Sequence, residues 1–345
     1  MQDFKFERAL TYQDVLLVPQ YSDIRSRSEV DIGNNLGDLR LDLPVISSPM
    51  DTISESSMAS AMCEMGGMAI IHRYNSIEEQ AHHVRVVENP DHSIVGGAIG
   101  VTGDYLERAQ ALVSAGAKIL CVDVAHGHHI LTRDALTKLK EEYGSSVHIM
   151  AGNVATVEGF DALAEWGADS VRCNIGGGSI CTTRVQTGHG VPGLHTIFDC
   201  SRSEYAGDVK IIADGGIKNG GDIVKALAAG ADFVMVGSLL SGTDQSPGKL
   251  VKTAEGNFKQ YRGMASRDAQ LDWRGKSSTP EGVSSMVPYK GDVRQILFDL
   301  DGSVRSGFSY SGARDINSLH SRARFIEQTN AGQTESSAHI LKRYR

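Results

Sequence analysis

The chain has 345 residues, of which 41% are hydrophobic and 22% are charged, so it is long enough to bury a large core in a single domain. Its formal net charge of -8 argues against nucleic acid as a partner, because a surface that binds phosphate backbones needs an excess of basic residues. No apolar run approaches the ~20 residues of a membrane span, which predicts no membrane contact.

The cysteines and the N-terminus indicate the compartment. The five cysteines are an odd number and include no C-x-x-C pair of the kind that binds metals. The first residues lack the apolar segment of a signal peptide. These features predict free thiols in a reducing cytoplasm.

The first 40 residues predict an N-terminal arm. Tyr12–Pro19 is typical of a short strand or a turn, and the polar segment Ser22–Glu29 is typical of an exposed surface. The rest of the chain, up to residue 345, is predicted to form one domain around this arm.

Eight short apolar runs follow the arm, and segments with helical periodicity lie between them. The runs are Pro44–Ser47, Gly67–Ile71, Ile94–Ala98, Ile119–Asp123, Val147–Met150, Ser170–Cys173, Lys210–Ala213 and Phe233–Val236. The helical segments include Ile77–Val87, Tyr105–Ala115, Ile130–Tyr143, Glu158–Trp166 and Asp222–Ala229. Apolar strands that alternate with amphipathic helices indicate a parallel sheet covered by helices. Eight repeats, with no G-x-G-x-x-G after the first, favour a (β/α)8 TIM barrel over an open doubly wound sheet.

Glycine-rich segments follow the last three predicted strands. They are Ile175–Gly190, Ala213–Ile217 and Val236–Leu239. In a barrel these segments share the C-terminal end, where backbone N–H groups commonly hold a phosphate. Three such loops in succession favour a phosphorylated ligand over ordinary strand-to-helix turns. The candidate phosphate ligands are Ser179, Gly216, Gly237 and Ser238.

Two side chains in these loops are candidates for further chemistry. Asp214 stands before two glycines, where its carboxylate could accept both hydroxyls of a ribose or, alternatively, cap a helix. Cys181 follows the Gly-Gly-Gly-Ser segment and precedes Thr182, Thr183 and Arg184. Hydrogen-bond donors and positive charge favour the thiolate form of a cysteine, so Cys181 is a candidate nucleophile.

These residues belong to a longer series of motifs that resembles the IMP dehydrogenase and GMP reductase family. The motifs are Tyr12–Pro19, Ser47–Thr52, Asp123–Gly127, Ala151–Asn153, Gly177–Arg184, Ala213–Gly216, Tyr261–Met264, Pro280–Gly282 and Pro288–Gly291. The resemblance implies a (β/α)8 barrel that forms a homotetramer. It also implies a cysteine that bonds to C2 of a purine nucleotide monophosphate, a flap over residues 260–290 and a C-terminal segment over 315–345.

The resemblance also implies roles for individual residues. Cys181 would be the nucleophile, and Thr183 with Glu281 would transfer protons, although Glu281 could alternatively be a solvated loop carboxylate. The substrate would contact Ser48, Met50, Ser179, Asp214, Gly215, Gly216, Gly237, Ser238, Tyr261, Gly263, Met264, Ala265 and Gly282. The cofactor would contact Ser26, Arg27, Arg73, Asp123, Val124, Ala125, Ile175, Gly176, Trp273 and Arg274. A potassium ion would be held by backbone carbonyls of Gly176, Gly178, Cys181 and Arg184.

Two activities share this nucleophile. IMP dehydrogenases transfer hydride from C2 of IMP to NAD and then hydrolyse the covalent adduct, whereas GMP reductases expel ammonia from GMP and use NADPH to give IMP. Because His72–Asn75 runs directly into a predicted helix, the chain lacks the inserted regulatory domain pair of most dehydrogenases. The segment Met264–Glu281 lacks their water-activating Arg-Tyr pair, and Trp273–Arg274 resembles the aromatic-Arg pair of reductases.

The two ends of the chain give opposite indications. Ser26–Asp31 resembles the arm of the reductases, where Ser26 and Arg27 would reach the cofactor, and cations there suit the extra phosphate of NADPH. Ala331–His339, in contrast, resembles the potassium-binding C-terminus of the dehydrogenases. We favour a GMP reductase that uses NADPH. The alternatives are an IMP dehydrogenase without regulatory domains, which would use NAD, and a non-catalytic nucleotide-binding barrel.

Some residues depart from the family pattern. Asn174 replaces a usual glycine, Gly177 stands where proline is common, and Gly193 replaces a common glutamine. These changes could alter the preference for a deoxynucleotide or another 2-substituted purine. The histidines at 126, 128 and 129 resemble a metal cluster, but we interpret them as a turn and the start of a helix.

Overall fold

The structure is a computed structural model that describes residues 6–87 and 93–336. Eight parallel strands close into a barrel in chain order, and the eighth pairs with the first. The barrel strands, numbered here from first to eighth, are Val45–Ser47, Met68–Ile71, Val95–Ile99, Ile119–Asp123, His148–Val154, Ser170–Cys173, Lys210–Asp214 and Phe233–Val236. The predicted (β/α)8 barrel is therefore confirmed, and every predicted strand is present.

Helices cover the outside of the barrel between successive strands. They are Ser56–Glu64, Ile77–Arg85, Tyr105–Ser114, Ile130–Tyr143, Val157–Glu165, Gly193–Cys200, Gly220–Ala228 and Val293–Ser311. Side-chain caps define several starts: Ser76, Thr156 and Asn219 each accept a hydrogen bond from the backbone N–H three residues further on. The helical segments expected from periodicity are present, with ends that differ by at most two residues. None of the helices in the described ranges is long and apolar enough to cross a membrane.

The barrel interior is a packed core of its own. Strand residues that point inward, among them Ile46, Met150 and Phe233, form a buried cluster with Leu36 and Leu41. The two leucines come from a hairpin, Asn34–Leu36 with Leu39–Leu41, that precedes the first barrel strand. This hairpin closes the end where the strands begin, opposite the end where the glycine loops lie.

We expect Phe233→Ala to lower the free energy of unfolding by about 3–5 kcal/mol, because the ring is fully buried in the barrel interior and its removal leaves a cavity. Urea unfolding of the variant measures this loss. Phe298→Ala is the matched control, since Phe298 is 66% exposed and its loss should change stability by less than about 0.5 kcal/mol. Equal effects of the two substitutions would contradict the packing described here.

The two ends of the chain meet on the surface of the barrel. Val15–Leu17 pairs antiparallel with Phe325–Glu327, which places a strand inside the segment predicted as a strand or a turn. Further along the arm, a short 3-10 helix, Arg27–Glu29, is exposed to solvent. It is held by Arg314, whose guanidinium donates to Glu29 at 2.8 Å and to Asp23 at 3.0 Å.

A small sheet and a helix follow the eighth barrel strand. The sheet consists of Val251–Thr253, Gly256–Arg262 and Ser284–Pro288, and the helix is Arg267–Arg274. The segment predicted as a flap, 260–290, contains the end of strand Gly256–Arg262, this helix and strand Ser284–Pro288. Shorter helices lie at Thr183–Thr187, Ile316–Arg322 and Asn330–Glu335.

Candidate active site

A cavity of about 460 Å³ opens at the end of the barrel where the strands terminate. It is lined by loops after the first, second, fourth, fifth, sixth, seventh and eighth strands together with residues 261–282. Every residue predicted to contact the substrate lines it, namely Ser48, Met50, Ser179, Asp214, Gly215, Gly216, Gly237, Ser238, Tyr261, Gly263, Met264, Ala265 and Gly282. The three residues predicted to do the chemistry line the same cavity.

Those three residues form a continuous chain of hydrogen bonds. The Thr183 hydroxyl donates to Glu281 Oε2 at 2.7 Å, and Thr183 Oγ1 lies 3.1 Å from Cys181 Sγ. Because the hydroxyl has one proton and gives it to the carboxylate, the thiol must donate to Thr183 Oγ1 in this arrangement. The Glu281 carboxylate is half-buried and hydrogen-bonded rather than freely solvated, and its part in proton transfer stays a prediction. A proton can pass from the Cys181 thiol to Glu281 through a single hydroxyl.

Backbone hydrogen bonds bring Glu281 to the cysteine across about 100 positions of sequence. The Thr182 N–H donates to the Glu281 carbonyl at 2.9 Å, and the Val283 N–H donates to the Ile180 carbonyl at 3.0 Å. The Glu281 N–H in turn donates to the Ala265 carbonyl at 3.0 Å. Residues 281–283 therefore lie alongside the loop that contains Cys181, with Gly282 and Cys181 paired in an antiparallel bridge.

The glycine turns after the seventh and eighth strands allow close approach between loops. Gly215 has φ +83°, and a Cβ atom there would lie 3.3 Å from the Gly178 nitrogen. A Cβ at Gly237 would lie 3.2 Å from the Tyr261 hydroxyl. Tyr261 is 5% exposed, and burial raises the pKa of its hydroxyl, which therefore remains protonated and able to donate. The predicted phosphate ligands thus lie together around one concave surface.

Two residues that sequence reasoning missed fix the carboxylate of Asp214. Arg172 donates to Asp214 Oδ2 through Nε at 3.1 Å and Nη2 at 3.0 Å, and Asn153 Nδ2 donates to the same oxygen at 2.8 Å. None of the described residues donates to Oδ1, which is left for a ligand. The helix-cap alternative for Asp214 is wrong, because Asn219 caps the helix that follows. The sequence signal that could have identified Arg172 is its position as the one charged residue in the apolar run Ser170–Cys173.

Arg172 also joins the seventh strand to the fourth. Its Nη1 donates to Asp123 Oδ1 at 2.7 Å, so one guanidinium neutralises two carboxylates on the cavity wall. Burial would lower the pKa of Arg172, but Cys121, Asp214 and Asp123 together raise the pKa well above its ordinary value. The guanidinium is therefore permanently charged.

We expect Arg172→Leu to weaken binding of a purine nucleotide by at least about 10-fold, because Asp214 and Asp123 would lose the buried guanidinium that they share and would move. The free energy of unfolding should also fall, by about 3–5 kcal/mol. Calorimetric titration and urea unfolding measure the two effects. Arg133→Leu is the control, since Arg133 is half exposed and pairs with its neighbour Asp134. If Arg172→Leu bound the nucleotide as tightly as Arg133→Leu does, the role assigned to Arg172 would be contradicted.

The residues predicted to contact the cofactor divide into two groups. Those at the cavity are Arg73, Asp123, Val124, Ala125, Ile175, Gly176 and Arg274. Arg73 Nη2 donates to the Asp123 carbonyl at 3.2 Å, while its buried Nε makes no hydrogen bond within the described residues. The same Nε lies 3.9 Å from Asp123 Oδ2, so Arg73 is paired with Asp123 on the cavity wall. Two arginines on this wall, Arg73 and Arg274, fit an anionic ligand such as a dinucleotide.

The remaining cofactor candidates do not line the cavity. Ser26 and Arg27 lie on the exposed arm, and Trp273 packs outside the cavity wall. The Trp273 ring stacks on Tyr74, with centroids 5.7 Å apart and planes 14° apart. Tyr74, which sequence reasoning missed, thereby joins helix Arg267–Arg274 to the loop after the second strand.

The carbonyls predicted to bind potassium belong to the loop after the sixth strand and to the short helix Thr183–Thr187. The Gly178 carbonyl accepts from the Cys181 N–H and the Arg184 carbonyl accepts from the Gly188 N–H, both at 3.1 Å. Each carbonyl retains a second lone pair, and hard oxygen donors of this kind fit an alkali cation. The C-terminal segment Ala331–His339 resembles the potassium-binding tail of the dehydrogenases. His339, at its end, lies outside the described residues.

The histidines after the fourth strand take up ordinary structural positions. His129 caps helix Ile130–Tyr143, with its Nδ1 accepting from the Leu131 N–H at 3.2 Å. The rings of His126 and His128 are 6.5 Å apart. The prediction of a helix start at His129 is confirmed.

Comparisons with known proteins identify what the chain is similar to. The family model for the IMP dehydrogenase / GMP reductase domain matches residues 9–339. An inosine-5'-monophosphate dehydrogenase of Cryptosporidium parvum is 36% identical, over 97% of this chain and 96% of that protein. A GMP reductase of Leishmania major is 32% identical, over 97% of this chain and 97% of that protein.

A solved structure has the same fold over almost its whole length. It is a cysteine-to-alanine variant of the GMP reductase of Trypanosoma brucei in complex with guanosine 5'-monophosphate. Its TM-score to this chain is 0.92 at 31% identity, and the alignment covers 97% of this chain and 98% of that one.

Proposed function

Because the chain belongs to the IMP dehydrogenase and GMP reductase family, oxidoreductases that act on purine nucleotide monophosphates with a nicotinamide cofactor, we propose that it is a GMP reductase. It would convert GMP to IMP and ammonia with NADPH. The hydrogen-bonded chain from Cys181 through Thr183 to Glu281 supports covalent catalysis, and the segment Met264–Glu281, considered below, supports the choice of the reductase. This chain ends in a carboxylate that can return a proton to a leaving amine.

The first steps follow from the positions of these groups. Glu281 accepts the thiol proton through Thr183, and the Cys181 thiolate adds to C2 of GMP. The same carboxylate then returns the proton through Thr183 to the exocyclic amine, the C2–N bond breaks, and ammonia leaves. C2 remains bonded to the Cys181 sulfur and double-bonded to a ring nitrogen.

The later steps require a reductant. NADPH, when bound, supplies the hydride that C2 accepts, and Arg73, Arg274 and Asp123–Ala125 would hold it. Cys181 then departs with the electrons of the C–S bond, and IMP is released. Throughout, Asp214 and the turns around Gly216 and Gly237 would hold the ribose phosphate, which keeps C2 next to the sulfur.

A second candidate, IMP dehydrogenase, is favoured by relatives with that name, including the Cryptosporidium protein. The absence of an inserted domain pair does not separate the two activities. The Leishmania reductase aligns over 478 positions, more than the 345 residues of this chain, whereas the Cryptosporidium dehydrogenase aligns over only 388. What favours the reductase is the segment Met264–Glu281, which contains no Arg-Tyr pair to activate water.

We further propose that the protein works as a homotetramer in the cytoplasm, with a potassium ion held by the carbonyls of Gly176, Gly178, Cys181 and Arg184. The exposed position of Ser26 and Arg27, away from the cavity of their own chain, supports the oligomer. In this proposal Ser26 and Arg27 would contact the cofactor bound by a neighbouring copy.

The direction of the reaction is tested by mixing the protein with GMP and NADPH, and separately with IMP and NAD, while recording absorbance of the reduced cofactor. We expect NADPH to be oxidised with release of one ammonia per IMP formed. Reduction of NAD by IMP, with no reaction of GMP, would replace the proposal by the second candidate. Tight nucleotide binding with no reaction in either mixture would support the non-catalytic alternative.

A further inference from the structure

Asn174 occupies an unusual position between the two loops that build the active site. It follows the last residue of the sixth barrel strand and is 3% exposed. Its φ of +147° lies in the region that favours glycine, and it is the one non-glycine residue with positive φ in the described parts of the chain. A non-glycine residue in such a conformation persists only when the surrounding structure holds it there.

The side chain of Asn174 links the loop after the sixth strand to the turn after the seventh. Its Nδ2 donates to the Asp214 carbonyl at 2.9 Å and lies 3.5 Å from the Gly215 carbonyl. Its Oδ1 accepts from Arg184 Nη2 at 3.3 Å. Arg184 is three residues beyond Cys181, and its Nε also donates to the Ile175 carbonyl at 3.1 Å. One amide therefore contacts both the candidate ribose turn and the cysteine loop.

The same amide explains the glycine at position 177. A Cβ atom on Gly177 would lie 2.0 Å from Asn174 Nδ2 and 2.7 Å from both Cγ and Oδ1, so a side chain at 177 would force the Asn174 amide out of its position. A Cβ on Gly193 would lie 3.1 Å from Nδ2. The three departures from the family pattern noted in the sequence are thus one change, in which Asn174 fills the space that side chains at 177 and 193 would use.

We propose that Asn174 is a positioning residue that locks the nucleotide-binding turn at Asp214–Gly216 to the Cys181 loop. The donor half of its amide holds the turn, and the acceptor half holds Arg184. The part of this inference that concerns the nucleotide rests on the proposed function. The linkage of the two loops does not, because it follows from the contacts alone.

Two substitutions distinguish the contact made by the donor of the amide from the contact made by its acceptor. Asn174→Asp keeps an acceptor for Arg184 but sets a carboxylate oxygen against the Asp214 carbonyl, so the dissociation constants of GMP and IMP should rise by at least about 10-fold. The rate at which iodoacetamide alkylates Cys181 should change by less than about 2-fold. Asn174→Gly, which suits the backbone, removes both contacts and should change both the dissociation constants and the alkylation rate.

Two results would overturn the role of the amide. The first is that Asn174→Asp and Asn174→Gly both bind GMP and IMP as tightly as the unchanged protein does. The other is a change in the Cys181 alkylation rate that is the same for Asn174→Asp and Asn174→Gly, which is what a general loss of structure would give. Thermal unfolding of each variant identifies such a loss.

A double-variant cycle tests the linkage without any nucleotide. Gly177→Ala alone should change the Cys181 alkylation rate by at least about 10-fold, because the new methyl group displaces the Asn174 amide. In the Asn174→Gly background the same substitution should have less than a 2-fold effect, on the order of measurement error. Equal effects in the two backgrounds would overturn the inference. Failure of the proposed reaction would instead be seen with the unchanged protein in the assay of GMP with NADPH.

Discussion

Cys181→Ala is expected to lower turnover by at least about 10⁴-fold, because the covalent bond to C2 of the purine has no other source in the cavity. Cys181 is the one cysteine among the cavity-lining residues, and its Sγ is 3.1 Å from the hydroxyl that would accept its proton. Alanine removes the sulfur without disturbing the backbone. Nucleotide binding should persist, since the candidate phosphate and ribose contacts come from other residues.

The matched control is Cys63→Ala. Cys63 is also a free, half-buried cysteine, but it ends helix Ser56–Glu64 and lies outside the cavity. Its substitution should leave the rate constant within about 2-fold of the original. Steady-state kinetics measure the rate constant of each variant, and calorimetric titration measures its dissociation constant for GMP. Measurable reduction of GMP by Cys181→Ala would exclude a covalent route through this residue.

Glu281→Gln is expected to lower turnover by about 10²- to 10⁴-fold, the usual contribution of a general acid and base. The amide can still hydrogen-bond to Thr183, so the geometry should be preserved. It cannot accept the thiol proton, however, and cannot return a proton to the amine. The loss should therefore appear in the rate constant, with little change in the dissociation constant of GMP.

The pH dependence of the rate distinguishes a proton-transfer role from a positional one. If Glu281 transfers the proton, the variant should lose the limb of the pH profile that reports ionisation of this carboxylate. Glu255→Gln serves as the control, because Glu255 is exposed on the turn between Val251–Thr253 and Gly256–Arg262. A variant Glu281→Gln that matches this control in rate at every pH would contradict the proposed relay.

The barrel itself could be predicted from the sequence because its periodic signal is local. Each buried strand is a run of three to seven residues, and each covering helix has one apolar face, so both can be identified from neighbouring positions. The order of the strands along the chain then predicted that Cys181, Asp214 and Gly237 lie at the same end of the barrel. The shared end follows from the rule that parallel strands terminate together.

Contacts between distant segments could not be predicted in the same way. Nothing near Val15–Leu17 indicates that it pairs with Phe325–Glu327, because an edge strand accepts any partner of suitable pattern. Arg172 was missed because its two carboxylate partners lie on other strands. Asn174, Gly177 and Gly193 were noted as separate departures, and only their positions in space show that they share one volume.

The most direct test of this account is to look for the bond between Cys181 and the purine. The protein is mixed with GMP and NADPH, quenched with acid during turnover, digested and analysed by mass spectrometry. We predict that the peptide containing Cys181 carries the mass of a purine nucleotide, and that the adduct disappears when GMP is exhausted. Turnover at the full rate while this peptide stays unmodified throughout, or a nucleotide attached to another residue, would contradict the account.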